Sequence, residues 1–427
     1  MSSASVQDVC AALERLRVAG RRLRNRPVRE TIDALASVLE TWREPESRVR
    51  RALCTEYAEA TSFSPAMVEA GMARALAGWT GDSLRSLLDR ELGGIEVLEG
   101  SALRNASGFE VTSVMLAGVL PSPTLLGLLA PLLLRSPVLA KTSAHDPVTA
   151  GLVAGSVAAA DPELGACLEI VRFSGGDREC VDALLRADCV VASGSDETIA
   201  SVAARVQPPR RLVSYGHRLS VAALAPDRPT DSAARLAEDV ALWDQLGCLS
   251  PLAVFVADGE RGGATAFGAE LAEALADLEQ RWPRGRISPR SSAAIRRERD
   301  EAEMRAGGGA PVRLHRGAGS SWTVVVEADS RIRPAPLHRF VRVHPVAGVP
   351  GLVEALKPVR HHLACVGVGG FADRQSEMIA ALGQLGVSRI CRIGTMQAPP
   401  LSWCHDNRGV LLPLARLSDV NGAVFEL

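Results

Sequence analysis

Lysine is almost missing from this chain of 427 residues. Of its 48 basic residues only Lys141 and Lys357 are lysine, and the other 46 are arginine. Where arginine is the default, a retained lysine points to a position that needs a compact, single-point ammonium rather than a planar fork. Net charge is missing too. The 48 basic residues face 49 acidic ones, for a formal charge of −1, so bulk attraction to nucleic acid or to an anionic lipid surface is not expected. The nine cysteines (10, 54, 167, 180, 189, 248, 365, 391, 404) include no CxxC and no His/Cys cluster at zinc-ligand spacing. Their number is odd, and the opening MSSASVQDVCAALERLRVAGRRLRNR has no apolar signal core. We expect reduced thiols, no structural metal and a cytoplasmic location. The chain shows no internal repeat.

Apolar residues, in contrast, are plentiful. They make up 47% of the chain, enough to bury the cores of two or three domains. One stretch, LAGVLPSPTLLGLLAPLLLRSPVLA (116–140), is long enough to be mistaken for a membrane span. It holds Pro121, Pro123, Pro131 and Pro137, with Arg135 among them. Prolines at that density break a spanning helix. A buried strand, a short buried helix and a second strand are expected instead.

Residues 1–100 read as helices. QDVCAALERLRVAGRRL and PVRETIDALASVLETWRE carry apolar residues at helical spacing, and SPAMVEAGMARAL opens with Ser64 as N-cap and Pro65 at the first helical position. From about 110 the rhythm changes. FEVTSVMLAGVL, RSPVLAKTS, CLEIVRFSG, RADCVVASGS and RRLVSYG are short β-rich runs, separated by TLLGLLAPLLL, DPVTAGLVAGSVAAA, RECVDALL and DETIASVAARV. Strand and helix in alternation predict a doubly wound parallel sheet, with ligands at the carboxyl ends of its strands. A second α/β block begins near 226. It opens with DSAARLAEDVALWDQ as a helix and carries AGGGAPVRLHRGAGSS (306–321) as a surface loop.

Three motifs carry chemistry. In KTSAHDPVTA, Lys141 ends a strand just before a helix, where a cofactor's ribose or phosphate would lie; a surface lysine before a helix cap reads the same way. In VVASGSDETI, small residues between strand and helix would let a pyrophosphate approach backbone amides, although Ser195 or Asp196 also reads as an ordinary cap. In VALWDQLGCLSP, Cys248 follows a glycine between Asp-Gln and Ser-Pro. Burial in a core is the commonest fate of a cysteine, but it needs none of that context.

Together and in this order the three resemble the aldehyde dehydrogenase superfamily. Within it the chain resembles the LuxC-type acyl-CoA reductases, the fatty acid reductases of bacterial luminescence. FSPAMVEAG before ELGG, LAGVLPSP, WDQLGCLSP and the run LGQLGVSRICRIGTMQAPPLSWCHDNRG carry that closer likeness, over roughly residues 55–420. The resemblance implies an aldehyde dehydrogenase-like α/β fold of two doubly wound domains with an N-terminal helical segment. The expected divisions are a helical segment (1–100) packed on the cofactor domain, a nucleotide-binding Rossmann-like domain (101–225), a catalytic domain (226–395) and a C-terminal return segment (396–427). It also implies Cys248 as nucleophile, and Lys141, Ser143, Gly194 and Ser195 as cofactor-binding residues.

Departures from the superfamily pattern sharpen the expectation. Hydrolytic members carry a water-activating glutamate where this chain has Ser214-Tyr215-Gly216-His217-Arg218, without a carboxylate. That favours reducing a thioester over oxidising an aldehyde. Ala144 stands where NAD-preferring members hold the ribose with a glutamate, which leaves room for a 2′-phosphate beside Lys141 and favours NADPH. Val119 stands where an asparagine usually donates to the oxyanion, a contact commonly worth about 3 kcal/mol of barrier. The expected reaction is NADPH-dependent reduction of an acyl thioester to an aldehyde through a cysteinyl acyl-enzyme, with His217 or His405 as proton donor or merely as a structural histidine. The expected partners are an acyl-CoA or acyl carrier protein substrate, an acyl-activating enzyme and further copies of the chain. The alternatives are a weakly active or non-catalytic scaffold, to which Val119 points, and an aldehyde-oxidising dehydrogenase.

Overall fold

The computed structural model of the protein describes residues 3–100, 104–259 and 262–419. The chain divides into two compact units. The first comprises residues 1–61, 76–217 and 400–427; the second comprises 62–75 and 218–399. The strands of the first unit are β1 (Arg104–Ser107), β2 (Thr112–Met115), β3 (Val138–Lys141), β4 (Leu168–Val171), β5 (Cys189–Ser193) and β6 (Arg211–Tyr215). Those of the second are β7 (Leu219–Leu224), β8 (Pro251–Ala257), β9 (Arg313–Arg316), β10 (Thr323–Val326), β11 (Phe340–Val346), β12 (Leu363–Gly369) and β13 (Arg389–Arg392); β14 (Arg416–Asp419) returns to the first.

In the first unit the sheet runs β4-β3-β2-β5-β6 with every pair parallel. From β2 the chain moves outward through β3 and β4, then crosses back to β5 and β6. The order therefore reverses between β2 and β5, which is where a doubly wound sheet opens a crevice. The apolar stretch at 116–140 becomes the buried helix Pro121–Leu133 between β2 and β3. No helix among the described residues is long and apolar enough to cross a membrane. The helix Val6–Arg24, closed by a Ser5/Asp8 capping box, presses Val9, Leu13 and Leu16 into the same core as Leu139, Val171 and Val190.

The second unit has a seven-stranded sheet in the order β13-β12-β7-β8-β11-β10-β9, parallel except for β9. The 306–321 segment, expected to be loop throughout, contains that strand. Arg313–Arg316 pairs antiparallel with β10 at the sheet's edge, where a strand bonded on one side only tolerates arginines and histidine. The helix expected through Gln245 ends at Ala241, and Trp243, Asp244 and Gln245 take left-handed backbone angles (φ 58°, 47° and 65°).

Two tertiary anchors accompany the unit boundaries. Residues 62–75 belong with the second unit because the Trp243 ring lies against Gly71, where a Cβ would stand 2.5 Å from a ring carbon. Phe63 meets the same ring edge-on at 5.9 Å. The end of the chain belongs with the first unit. There β14 pairs with β1, and the Glu91 carboxylate accepts the amides of Val410, Leu411 and Leu412 at 2.7, 2.7 and 3.0 Å.

Candidate active site

In the first unit, the sequence-predicted cofactor residues lie at the carboxyl ends of β3 and β5, the strands flanking β2. Lys141 ends β3 and is 8% exposed. Its ammonium donates to the Thr142 carbonyl at 3.2 Å and sits 5.5 Å from the centre of the Phe173 ring. No ion pair to it occurs among the described residues. Burial alone pulls its pKa down. A buried ammonium with one carbonyl and a ring has donors to spare, and it suits an incoming anion or ribose hydroxyl. Ser143 ties two loops together: its hydroxyl donates to the Gly118 carbonyl at 2.7 Å and accepts the His145 amide at 3.1 Å. Gly118 follows β2 with φ +79°, a backbone that glycine adopts without strain.

At the end of β5, Gly194 is packed so closely that a Cβ would meet Thr198 at 3.1 Å. Ser195 caps the helix Asp196–Ala203 by accepting the Thr198 amide at 3.3 Å. Asp196 is engaged as well, since its Oδ1 accepts the His217 amide at 2.9 Å. Residues 214–218 hold no carboxylate of their own, but this aspartate from the neighbouring helix reaches them, which the sequence pattern did not reveal. His405, a candidate proton donor, lies stacked between Tyr215 (4.4 Å) and Trp403 (4.9 Å) in a packed setting. Ala144 is exposed in the turn after Lys141, and Val119 follows Gly118, its carbonyl accepting the Tyr57 hydroxyl. The small residues, and an ammonium with no ion pair among the described residues, could hold a dinucleotide.

In the second unit, Cys248 is half-buried just before β8. It stands at the amino end of that strand, opposite to where a doubly wound sheet usually places its ligand. The chain after it enters the strand directly, so the local backbone supplies no helix N-terminus to favour a thiolate. What the local sequence builds is a rigid turn. Asp244 and Arg339 form an ion pair with side chains 4% and 1% exposed; the Arg339 Nε donates at 2.9 Å, and the other Asp244 oxygen accepts the Gly285 amide at 2.9 Å. Gln245 pairs with the backbone of Phe340 through both its amide atoms at 2.9 Å and donates also to the Pro251 carbonyl at 2.8 Å. The Trp243 amide points at the Met67 sulfur. Three successive left-handed residues, none of them glycine, persist because these buried contacts determine them.

Cys248 itself is fixed through its carbonyl, which accepts the Ser220 hydroxyl at 2.6 Å; Ser220 Oγ in turn accepts the Cys365 amide at 3.2 Å. Ser220 sits where the registers of β7 with both β8 and β12 slip, a local bulge that aims its side chain. Below, Gln397 donates to the Ser250 hydroxyl at 2.9 Å, while Asp239 accepts the amides of Gly394 and Met396. Burial pushes the Asp239 carboxyl up to about 7, against the pull of those amides. Neither Ser220 nor Asp239 could be singled out from the sequence, because their roles arise from bonds to residues 28 to 157 positions away. Among the described residues no group of three or more His, Cys, Asp or Glu is placed to hold a metal.

Known proteins match this architecture. The chain is 23% identical over 409 residues to the long-chain acyl-protein thioester reductase of Aliivibrio fischeri, covering 92% of this chain and 82% of that one. Solved structures with the same fold include a salicylaldehyde dehydrogenase from Pseudomonas putida G7 (TM-score 0.72, 14% identity, 97% of this chain and 90% of that). Another is an NADP-dependent glyceraldehyde-3-phosphate dehydrogenase from Bacillus halodurans C-125 complexed with NADP (TM-score 0.69, 14% identity, 99% and 93%). The fold is that of an aldehyde dehydrogenase. The family description "Acyl-CoA reductase (LuxC)" matches residues 23–419, and the chain belongs to that family of acyl-CoA reductases.

Proposed function

We propose that the protein reduces a long-chain acyl thioester, carried by CoA or by a carrier protein, to the aldehyde, with Cys248 as the acyl acceptor and NADPH as the reductant. Thioester reduction is the chemistry of the family. The single observation that carries the assignment to Cys248 is the locked turn before it: three strained residues held by a buried ion pair and a buried amide for the benefit of one half-buried thiol. Such a turn fixes where the sulfur stands before substrate arrives, which lowers the entropic part of the barrier.

The steps follow from the chain's own groups. The Cys248 thiolate attacks the thioester carbon, the carrier's thiol leaves with a proton, and an acyl-enzyme remains. The bound cofactor supplies a hydride. Lys141 would meet its phosphate or ribose with a desolvated ammonium, and Ser143 and Gly194 would keep the loops around it close. The sulfur of Cys248 then departs from the tetrahedral carbon as the aldehyde forms. The absence of a carboxylate within 214–218 leaves the acyl-enzyme for reduction rather than hydrolysis. Ala144 and Lys141 support NADPH over NADH. The long acyl chain is taken from the chemistry named for the Aliivibrio fischeri relative.

The test is anaerobic incubation with acyl-CoA thioesters of increasing chain length, and with the matching acyl carrier proteins, in the presence of NADPH. Nicotinamide absorbance is followed and aldehyde is trapped. Aldehyde should form in proportion to NADPH consumed. Acyl transfer to Cys248 followed only by free acid would overturn the reading. Val119 supports a second reading, a scaffold that has lost its oxyanion donor; cofactor binding without any acylation of Cys248 would favour it.

A further inference from the structure

A pair of sulfurs lies in the same unit, neither of them given a role in the proposed reaction. Cys365 on β12 and Cys391 on the neighbouring parallel strand β13 stand offset by two residues in the register, and their Sγ atoms are 3.6 Å apart. Cys365 is fully buried, whereas Cys391 is half-buried. Arg389 brings its guanidinium to 3.9 Å from the Cys365 sulfur while binding the carbonyls of Thr395 (2.8 Å), Met396 (2.6 Å) and Ala398 (3.3 Å).

We propose that Cys365 and Cys391 form a peroxide-reactive dithiol, a modification site that closes to an intramolecular disulfide. Contact at 3.6 Å leaves about 1.6 Å to close to a sulfur–sulfur bond. Closing it takes a small backbone shift as well as side-chain rotation, because the two-residue offset sets the Cα atoms about 8 Å apart; β13, the edge strand of its sheet, is bonded on one side only and can make that shift. A cation beside the pair and a sulfur-to-sulfur hydrogen bond both favour one thiolate in the pair. The Cys391 thiol is accordingly drawn down to about 7, and Cys365 is pushed up as it keeps the shared proton. Exposure assigns the roles: Cys391, which solvent can approach, is the attacking sulfur, and the buried Cys365 resolves.

The chemistry balances with a hydroperoxide as oxidant. The Cys391 thiolate attacks the peroxide oxygen and the O–O bond breaks; with hydrogen peroxide this yields a sulfenic acid and hydroxide. The Cys365 sulfur then attacks the sulfenic sulfur. The S–S bond forms, the S–O bond breaks, and the oxygen leaves as water with the Cys365 proton. Two thiols have lost two electrons, and the peroxide has gained them. The Cys365 amide also donates to Ser220 Oγ, which holds the carbonyl of Cys248, so the disulfide forms one hydrogen-bonded residue away from the nucleophile's backbone.

The test treats the reduced full-length protein with stoichiometric hydrogen peroxide, alkylates the remaining thiols and digests with trypsin without reductant. The expected product links peptide 361–374 to peptide 390–392, with the loss of two hydrogens. Cys391→Ser should remove it. Cys365→Ser should leave a sulfenic acid on Cys391 that a dimedone probe captures. Cys248→Ser should leave the cross-link unchanged, which separates this site from the proposed acylation chemistry. Full alkylation of Cys365 and Cys391 after peroxide would overturn the proposal, as would a cross-link from either one to another cysteine.

Discussion

Asp244 offers the sharpest test of whether the turn before Cys248 positions the nucleophile. Its left-handed backbone (φ 47°) is one that asparagine tolerates nearly as well as any non-glycine residue. Asp244→Asn therefore removes the charge and keeps the backbone preference. Arg339 would retain Glu279 at 2.8 Å and the Trp282 carbonyl at 2.8 Å, so its charge is not stranded and the loss falls short of a fully orphaned ion. We expect about 2–3 kcal/mol of destabilisation, the scale of one charge-assisted hydrogen-bond set. Asp244→Ala adds the cost of a left-handed alanine, about 1–2 kcal/mol more. Urea denaturation gives both numbers. A cycle with Arg339→Met should return a coupling of at least ~1 kcal/mol; additivity within about 0.5 kcal/mol would show that the pair does not act as a unit. Under conditions where Asp244→Asn is fully folded, thioester turnover should still fall by about 10- to 100-fold, because displacement of a reacting atom by an ångström costs that much. Wild-type turnover in a demonstrably destabilised variant would refute the positioning role and leave the pair as a structural brace only.

Four further outcomes follow from the same geometry. Cys248→Ala should abolish acyl-enzyme and aldehyde while cofactor binding persists, and intact-mass detection of an acyl group on Cys189 or Cys365 would contradict the assignment. Lys141→Ala should weaken NADPH more than NADH, by about 1.5–3 kcal/mol for one charge-assisted contact, as read by cofactor titration; equal weakening would confine Lys141 to the ribose. Burial raises the Asp239 pKa to about 7, so the folded state holds a proton that the unfolded chain has already released above about 4. Stability should therefore fall as pH climbs from about 4 to 7, by at most ~1.4 kcal/mol per unit. Asp239→Asn should flatten that slope in pH-dependent denaturation, at a cost of about 1–3 kcal/mol for the backbone amide it leaves facing an NH2 group. Val119→Asn should speed acylation by roughly ten- to a thousandfold without altering NADPH affinity; stopped-flow acylation that stays flat, with Cys248 still reactive to a thiol reagent, would rule out a single missing donor.

How far the sequence could be read depends on whether the information is local. Alternating apolar runs and helical spacing gave the five parallel strands of the first unit, because buried strands and amphipathic helices write their period into consecutive residues. Ser64 and Pro65 were legible for the same reason: a cap acts within one turn, and Ser64 does accept the Met67 amide at 3.3 Å. The strands β1, β9 and β14 left little trace. Four residues of edge strand, bonded on one side and rich in arginine, do not differ in composition from loop. The helix Pro289–Gly307 leaves as little trace in the sequence. Its sequence is strongly charged, and it buries only Ile295, Arg299 and Ala302, too narrow an apolar stripe to stand out.

The Trp-Asp-Gln before Cys248 shows the other limit. Read as letters, these residues continue the helix, and nothing in them announces left-handed backbone, since glycine and asparagine are absent. The reversal comes from partners far away in sequence: Met67 for the Trp243 amide, Arg339 for Asp244, the Phe340 backbone for Gln245. A strained conformation set by distant contacts cannot be read from its own residues, whatever the propensity scale. What remained visible was the oddity of the context, an acid and an amide beside a cysteine that a plain core position would not require. The structure accounts for that oddity. The acid and the amide bind the turn that leads into Cys248.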